Sequence, residues 1–172
     1  YMLNEGQRAL GLEAIRLTHQ IETPLFQIFS QGETNYGDPS ADLGFMQFAT
    51  ATNIEEHMTI LEGRLPDAVG PDQPLQVLVA IEWAIELGWQ TGESYIAFDH
   101  RNEESVTLEF IISGIWEAND SADDYWPYTT STYDELLIIP EESFKNHIAP
   151  VLNDEINLIS WYLEMDGSLV QP

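Results

Sequence analysis

Hydrophobic and polar residues alternate most regularly in the second half of the chain, where Val106, Leu108, Phe110 and Ile112 alternate with Thr107, Glu109 and, after Ile112, Ser113. A period of two is typical of a strand with one buried face. We therefore expect a half-buried antiparallel strand here, which continues to Trp116.

Shorter apolar runs between Gly, Pro, Asn and Asp residues predict further strands. The run Leu75–Ala80 (LQVLVA) is apolar almost throughout and rich in β-branched residues, so we expect it to be buried. The other predicted strands cover residues 25–29, 43–52, 58–61, 94–98, 135–139 and 156–163.

Helical periodicity is restricted to three places. Residues 81–87 place Ile81 and Ala84 on one face, and Gly88 follows as a left-handed C-cap. A second helix is predicted to begin after Pro140 and to bury Phe144, Ile148 and Leu152, with Pro150 ending or bending it. A third, over residues 4–19, is interpreted either as a packing helix or as the stub of a stalk that leads out of a membrane.

Strands outnumber helices by about three to one, which predicts a β-rich α+β fold with short helices packed on mixed sheets. The chain of 172 residues is long enough for one domain with a real core, and 44% hydrophobic residues are typical of a globular protein.

Acidic residues dominate the charge, with 30 Asp and Glu against 5 Lys and Arg and a formal net charge of −25. Nucleic acids are bound through clustered Lys and Arg, so we expect no nucleic acid as a partner. The acids are spread along the chain, which favours a solvated surface over a cation-binding surface or a mimic of nucleic acid.

Cysteine is absent from the chain, so disulfides, thiolate metal sites and cysteine nucleophiles are excluded.

No apolar run reaches the roughly 20 residues that cross a bilayer, and no signal pattern precedes the first predicted element. The sequence contains neither an H-E-x-x-H pair of metal ligands nor a G-x-S-x-G nucleophile elbow. We therefore expect a domain that is not an enzyme.

The acidic segment between residues 117 and 133 is the longest predicted loop, and a long loop is often functional. Its oxygen-bearing side chains have the density of a calcium loop but lack the central Gly and the distant Glu of an EF-hand. No other cofactor is expected in the chain. The candidate calcium ligands are Asn119, Asp120, Asp123 and Asp124, and the alternative is a solvated acidic turn.

Aromatic residues in and beside this loop are candidates for binding a partner or a substrate, because exposed ring faces suit such contacts. Aromatic residues of loops also pack back into small domains, and the sequence leaves both interpretations open. The candidates are Trp116, Tyr125, Trp126 and Tyr128.

Three segments, in this order and spacing, resemble the extracytoplasmic domain of FtsX/MacB-type ABC transporter permeases. The first, residues 59–98, combines a G-R-L-P turn at Gly63 with the buried strand, the short helix and a Thr91-Gly92 turn. The second is Ile112-Ser113-Gly114-Ile115-Trp116, and the third is the strand-to-helix passage over residues 137–144. The resemblance covers residues 41–163.

The resemblance implies a MacB-like periplasmic core at residues 41–165, preceded by a stalk-proximal segment at 1–40 and followed by a tail toward a membrane helix at 166–172. Such a domain lies on the extracellular or periplasmic face of the membrane. It couples ATP hydrolysis by a cytoplasmic ABC ATPase to export or to an extracytoplasmic partner, and it works beside a second permease copy or homologue. The alternative is a free-standing secreted acidic module that binds calcium, a sugar or a cell-surface partner.

Overall fold

The computed structural model describes residues 12–38, 40–101, 104–152 and 156–168. Nine strands and a few short helical segments lie within these residues. The strands are β1 (Ala14–Glu22), β2 (Phe26–Ser30), β3 (Asp42–Ala51), β4 (Met58–Gly63), β5 (Leu75–Ala80), β6 (Ser94–Arg101), β7 (Glu104–Ala118), β8 (Leu136–Ile138) and β9 (Leu158–Met165). The β-rich α+β class predicted from the sequence is confirmed.

Six strands form a closed sheet, because β2 pairs with β3 as well as with β6 and completes the order β2-β6-β7-β5-β8-β3. The β3–β8 and β5–β7 pairs are parallel and the other pairs are antiparallel, so the sheet is mixed. We call these six strands the closed sheet. Strand β4 adds to the second half of β7 from outside this ring.

Strands β1 and β9 form a long antiparallel ribbon that joins the closed sheet at one end only. Their register runs from the Ala14–Met165 pair to the Glu22–Leu158 pair. The ladder between β1 and β3 is short and covers the three residue pairs from Gln20–Ala51 to Glu22–Ala49. We call β1 and β9 the terminal ribbon.

Side-chain alternation builds two apolar clusters on opposite faces of the closed sheet. Leu75, Val77 and Val79 of β5 belong to the larger cluster, to which all six strands of the closed sheet contribute. Leu78 and Ala80 point the other way, into a second cluster beneath the loop that follows β7. The near-continuous apolar run of β5 therefore reflects burial on both faces.

The short helices close off the larger cluster. Helix α1 (Ile81–Leu87) directly follows β5, buries Ala84 and ends at Gly88, whose φ of 70° lies in the left-handed region. Both its bounds and its cap agree with the sequence prediction. The turns Ile54–His57 and Thr130–Tyr133 are 3-10 helices.

A second helical segment, α2, covers residues 141–151 and begins at Glu141, as the sequence predicts. It buries Phe144, Ile148 and Leu152 in the larger cluster. Pro150 has no N–H to donate to a preceding carbonyl. The segment contains a π-turn over Phe144–Ile148 and ends at Val151, which fits a bent or terminated helix.

The prediction of a helix at residues 4–19 is wrong over 14–19, where the chain forms β1. Leu12 and Ile15 are spaced as on a helix and Ile15 and Leu17 as on a strand, and pairing with β9 decides between the two periods. Residues 4–11 lie outside the described part of the chain. Strands β1 and β2 share the sheet of the later strands, and the division predicted at residue 40 stays a prediction.

The other predicted strands are confirmed with shifts of a few residues at their ends. The predicted tail begins with a turn at Asp166–Ser168, where the Ser168 amide donates to the Asp166 carboxylate, and residues 169–172 are outside the described part. None of the helices among the described residues has the length and apolar character needed to cross a membrane.

Candidate functional site

The loop between β7 and β8 folds back over the second apolar cluster, because its own side chains fix its turns. The Asp120 carboxylate accepts a hydrogen bond from the Ala122 amide at 2.8 Å, and the Asp123 carboxylate accepts one from the Tyr125 amide at 2.8 Å. These Asx-type turns bring the aromatic residues that follow onto the sheet.

Three of the four candidate aromatics, Trp116, Tyr125 and Trp126, are buried, which favours packing into the domain over an exposed ring face for these three. The Trp116 and Trp126 rings stack with centroids 6.1 Å apart, and Tyr133 packs edge-on against Trp126 at 5.0 Å. A sheet face without a second layer needs such a cover, and the loop aromatics provide it.

Hydrogen bonds hold these rings in place. The Tyr125 hydroxyl donates to the Thr52 carbonyl at 2.9 Å, and the Trp126 indole N–H donates to the Asp120 carbonyl at 3.0 Å. Burial raises the pKa of Tyr125. Of the predicted set, Tyr128 alone is exposed, at 55%, and its ring meets Tyr162 of the ribbon edge-on at 6.3 Å.

His57 and Asp123, which no sequence motif links, lie in contact beside this aromatic cluster. The His57 ring stacks on Tyr125 at 3.8 Å and 9°, and its Nδ1 lies 2.7 Å from a carboxylate oxygen of Asp123. The hydrogen bond from the Tyr125 amide, followed by that from His57, lowers the pKa of Asp123. The hydrogen bond from His57 to Asp123 and the stacking of His57 on Tyr125 thus hold the loop against the turn before β4.

The four candidate calcium ligands lie in this loop, but most of their polar atoms take part in structural hydrogen bonds. Asn119 accepts from the Thr59 hydroxyl at 2.5 Å, and Asp120 and Asp123 hold the turns described above. Across the described ranges, no three Asp, Glu, His or Cys side chains come together as a metal site. Calcium binding stays a prediction.

An open groove of about 400 Å³ lies where this loop faces the terminal ribbon. It combines aromatic faces with charged groups, and the residues on its walls include Arg16, Thr18, Asp124, Tyr125, Tyr162 and Glu164. Arg16 forms an ion pair with Glu164 at 3.0 Å and lies over the Tyr125 ring at 5.9 Å.

Sequence reasoning placed Asp124 and Tyr125 in a functional loop but missed the ribbon side of the groove. The signal was present in Trp161-Tyr162, which lies on a strand with apolar residues at every second position from Ile159. Such an alternation shows that one face is apolar, but not that the strand lies at an edge.

A second groove, of about 340 Å³, lies on the far side of the second cluster. Leu65, Pro66, Ile138 and Pro140 contribute to its apolar wall, and Glu55 and Glu141 lie at its rim. Its residues show no convergent polar set of the kind that orients a small ligand.

Comparisons with known proteins give a distant likeness only. The chain matches no protein-family model and no curated protein. Among solved structures it is similar to one from Porphyromonas gingivalis described as "a domain of a putative Permease protein", with 14% identity and a TM-score of 0.47. The alignment covers 92% of this chain and 64% of that one, so this chain spans less than two thirds of that structure.

Proposed function

We propose that this chain is the extracytoplasmic domain of an FtsX/MacB-type ABC transporter permease subunit. The domain carries no catalytic step in this proposal. It transmits motion between a cytoplasmic ABC ATPase and an exported substrate or an extracytoplasmic partner, beside a second copy or homologue of the permease. The order of sequence segments over residues 41–163 supports the family assignment.

The observation that carries the proposal is the pairing of β1 with β9. Ala14 lies opposite Met165, and the Asp166 amide donates to the Glu13 carbonyl at 2.7 Å. The start of the first described strand and the end of the last one therefore lie side by side at one end of the terminal ribbon. A domain inserted between two neighbouring membrane helices needs this geometry, because both connections must reach the same membrane face.

The environment of the polar groups near the loop supports a role without covalent chemistry. His57 and Asp123 bond to each other, and Tyr125, Trp126 and Asp120 are engaged in hydrogen bonds that fix the loop. These groups stabilise packing, and rigid packing is what a domain that transmits force requires.

The reading frame around the coding region tests the proposal. We expect apolar spans of about 20 residues on both sides of the domain and a neighbouring ATPase gene. Fractionation should then place the full-length protein in the membrane, with the domain open to protease from outside the cell. A frame with a signal peptide and no later span would contradict the permease.

The groove between loop and ribbon favours one alternative, a secreted binding module. Its aromatic faces and its Asp124 carboxylate are suited to holding a ligand without any membrane. The same reading frame distinguishes the two functions.

A further inference from the structure

Among the described strands, β9 lies at an edge of the sheet. Its inner side pairs with β1 over its whole length, and no strand in the described part of the chain pairs with its other side. An open edge presents backbone N–H and C=O groups that can pair with a further strand.

The sequence of β9 lacks the usual protection of an edge. Its eight residues, LISWYLEM, include one charge, Glu164, and no Pro, Gly or Lys. Strand β4, which pairs only with β7 in the described structure, differs. It is shorter, has a bulge between Ile60 and Glu62, and ends at Gly63. A bulge and short length discourage strand addition at β4, and neither of them protects the middle of β9.

The two faces of the terminal ribbon differ in chemistry. One face carries Ile159, Trp161 and Leu163, with Leu17 directly opposite Leu163. Trp161 is 51% exposed and Ile159 is 38% exposed. The opposite face carries Tyr162 and Glu164, which line the groove beneath the loop, and Trp161 and Leu163 also contribute to the groove wall. A strand added beside β9 would therefore place alternate side chains over an apolar face and over the groove.

Charge determines which side chains suit the groove. Glu164 is paired with Arg16, whereas Asp124 has no hydrogen bond or ion pair with any described residue. Tyr162 adds a ring face that attracts cations, whereas Arg16 and His57 already pack against the Tyr125 ring. The net charge of −25 attracts a basic segment and repels a second copy of the chain.

We propose that β9 binds an extended segment of a basic partner protein by strand addition, with apolar side chains over the Trp161 face and Lys or Arg over the groove. Backbone hydrogen bonds at the edge supply affinity, and the two different faces supply specificity. The inference concerns the domain itself and goes beyond the transporter assignment, so its test does not depend on a membrane.

The test uses two capped peptides with the same composition. One alternates Lys and Val four times, and the other joins four Lys to four Val in blocks. Titration calorimetry with the full chain at physiological salt should show the alternating peptide binding at least about tenfold more tightly, since only its pattern matches both faces. Equal affinity would show binding by charge alone and would overturn the proposal.

Variants of the chain locate the site. We expect Trp161→Lys to weaken the alternating peptide about tenfold or more. Ile85→Lys is the matched control, because Ile85 is 74% exposed on α1 and the change in net charge is the same. Asp124→Asn should weaken binding of the same peptide severalfold. Asp72→Asn, on an exposed loop, is the matched control for this variant.

Equal losses in Trp161→Lys and Ile85→Lys would overturn the site. A circular dichroism spectrum and melting curve matching those of the native chain should accompany Trp161→Lys, because the residue is exposed. Light scattering on the native chain tests whether a second copy of the chain occupies the β9 edge instead. Dimers that dissociate in Trp161→Lys, together with no preference for the alternating peptide, would assign the edge to a second copy and overturn the proposal of a basic partner.

Discussion

The closed sheet and the terminal ribbon are built from similar strands, yet they differ in what their side chains touch. In the closed sheet, β5 has neighbours on both edges and apolar clusters on both faces. In the ribbon, β9 has one neighbour in the described structure and one largely exposed apolar face. A near-continuous apolar sequence therefore specifies stability in the first region, and an alternating sequence specifies an available surface in the second.

The largest test of this contrast is the same substitution at two positions of β3. Phe48 is fully buried in the larger cluster, so Phe48→Ala should lower the free energy of unfolding by about 3–5 kcal/mol. Phe45 is 51% exposed, and Phe45→Ala should cost under about 1 kcal/mol. Urea unfolding measures both. Trp161→Ala on the ribbon should behave like Phe45→Ala, and a loss as large as that of Phe48→Ala would remove the contrast.

The loop after β7 joins the two regions, and Trp126→Ala tests to which of them it belongs. Trp126 packs against Trp116 and Tyr133 of the second cluster, so we expect a loss of about 3–4 kcal/mol in thermal or urea unfolding. Tyr128→Ala, two residues along and 55% exposed, is the control and should cost under about 1 kcal/mol. An unchanged melting temperature in Trp126→Ala would show that the loop does not stabilise the sheet.

Gly63 marks where β4 joins the closed sheet, and a smaller effect is expected there. Its φ is 76°, and an added Cβ would lie 2.2 Å from the Ser113 carbonyl oxygen. Gly32 has a similar φ of 88° with nothing within 4 Å of the added atom. Gly32→Ala should cost about 1–2 kcal/mol from backbone strain alone, and Gly63→Ala should cost at least about 1 kcal/mol more. Equal losses of unfolding free energy for Gly63→Ala and Gly32→Ala, measured by urea unfolding, would mean that β4 moves away from the added Cβ without a loss of stability.

The smallest predicted effect is a pH dependence beside β8. Burial, followed by the nearby Glu82 and Glu135, raises the pKa of Asp134 from 3.8 to about 6. A raised pKa means that the folded state holds the proton more tightly than the unfolded state does. The contribution of Asp134 to the free energy of unfolding is therefore fully present below pH 3.8 and is lost as the pH rises through 6. Asp134→Asn should flatten that part of the dependence of unfolding free energy on pH, whereas Asp72→Asn should not. Identical profiles for the native chain and Asp134→Asn would contradict the raised pKa.

The sequence predicts local structure well where neighbours in the chain decide it. Helix α1 follows from the spacing of Ile81 and Ala84 and from Gly88, and β5 follows from its apolar run. The period of residues 14–19 is ambiguous by itself, and β1 becomes a strand because distant β9 supplies its hydrogen bonds. Local pattern carries no record of that partner.

The candidate site was harder to predict for the same reason. Trp116, Tyr125 and Trp126 fit either an exposed binding surface or a buried cover, and only the return of the loop onto the sheet decides between them. The groove joins Asp124 to Glu164 and Tyr162, which come from distant parts of the chain. Their proximity depends on the complete topology, which no spacing within the sequence encodes.

The pairing of β1 with β9 also has a consequence for synthesis on the ribosome. Strand β1 emerges first among the described strands, and its main partner emerges last. Such a connection has a high contact order, and closing it carries a large entropic cost before any contact forms. The six strands of the closed sheet can pair with one another before β9, the main partner of β1, has been synthesised. The backbone groups of β1 that later pair with β9 and the Leu17 side chain are then open to other chains, so β1 is the segment that a chaperone would need to protect during translation.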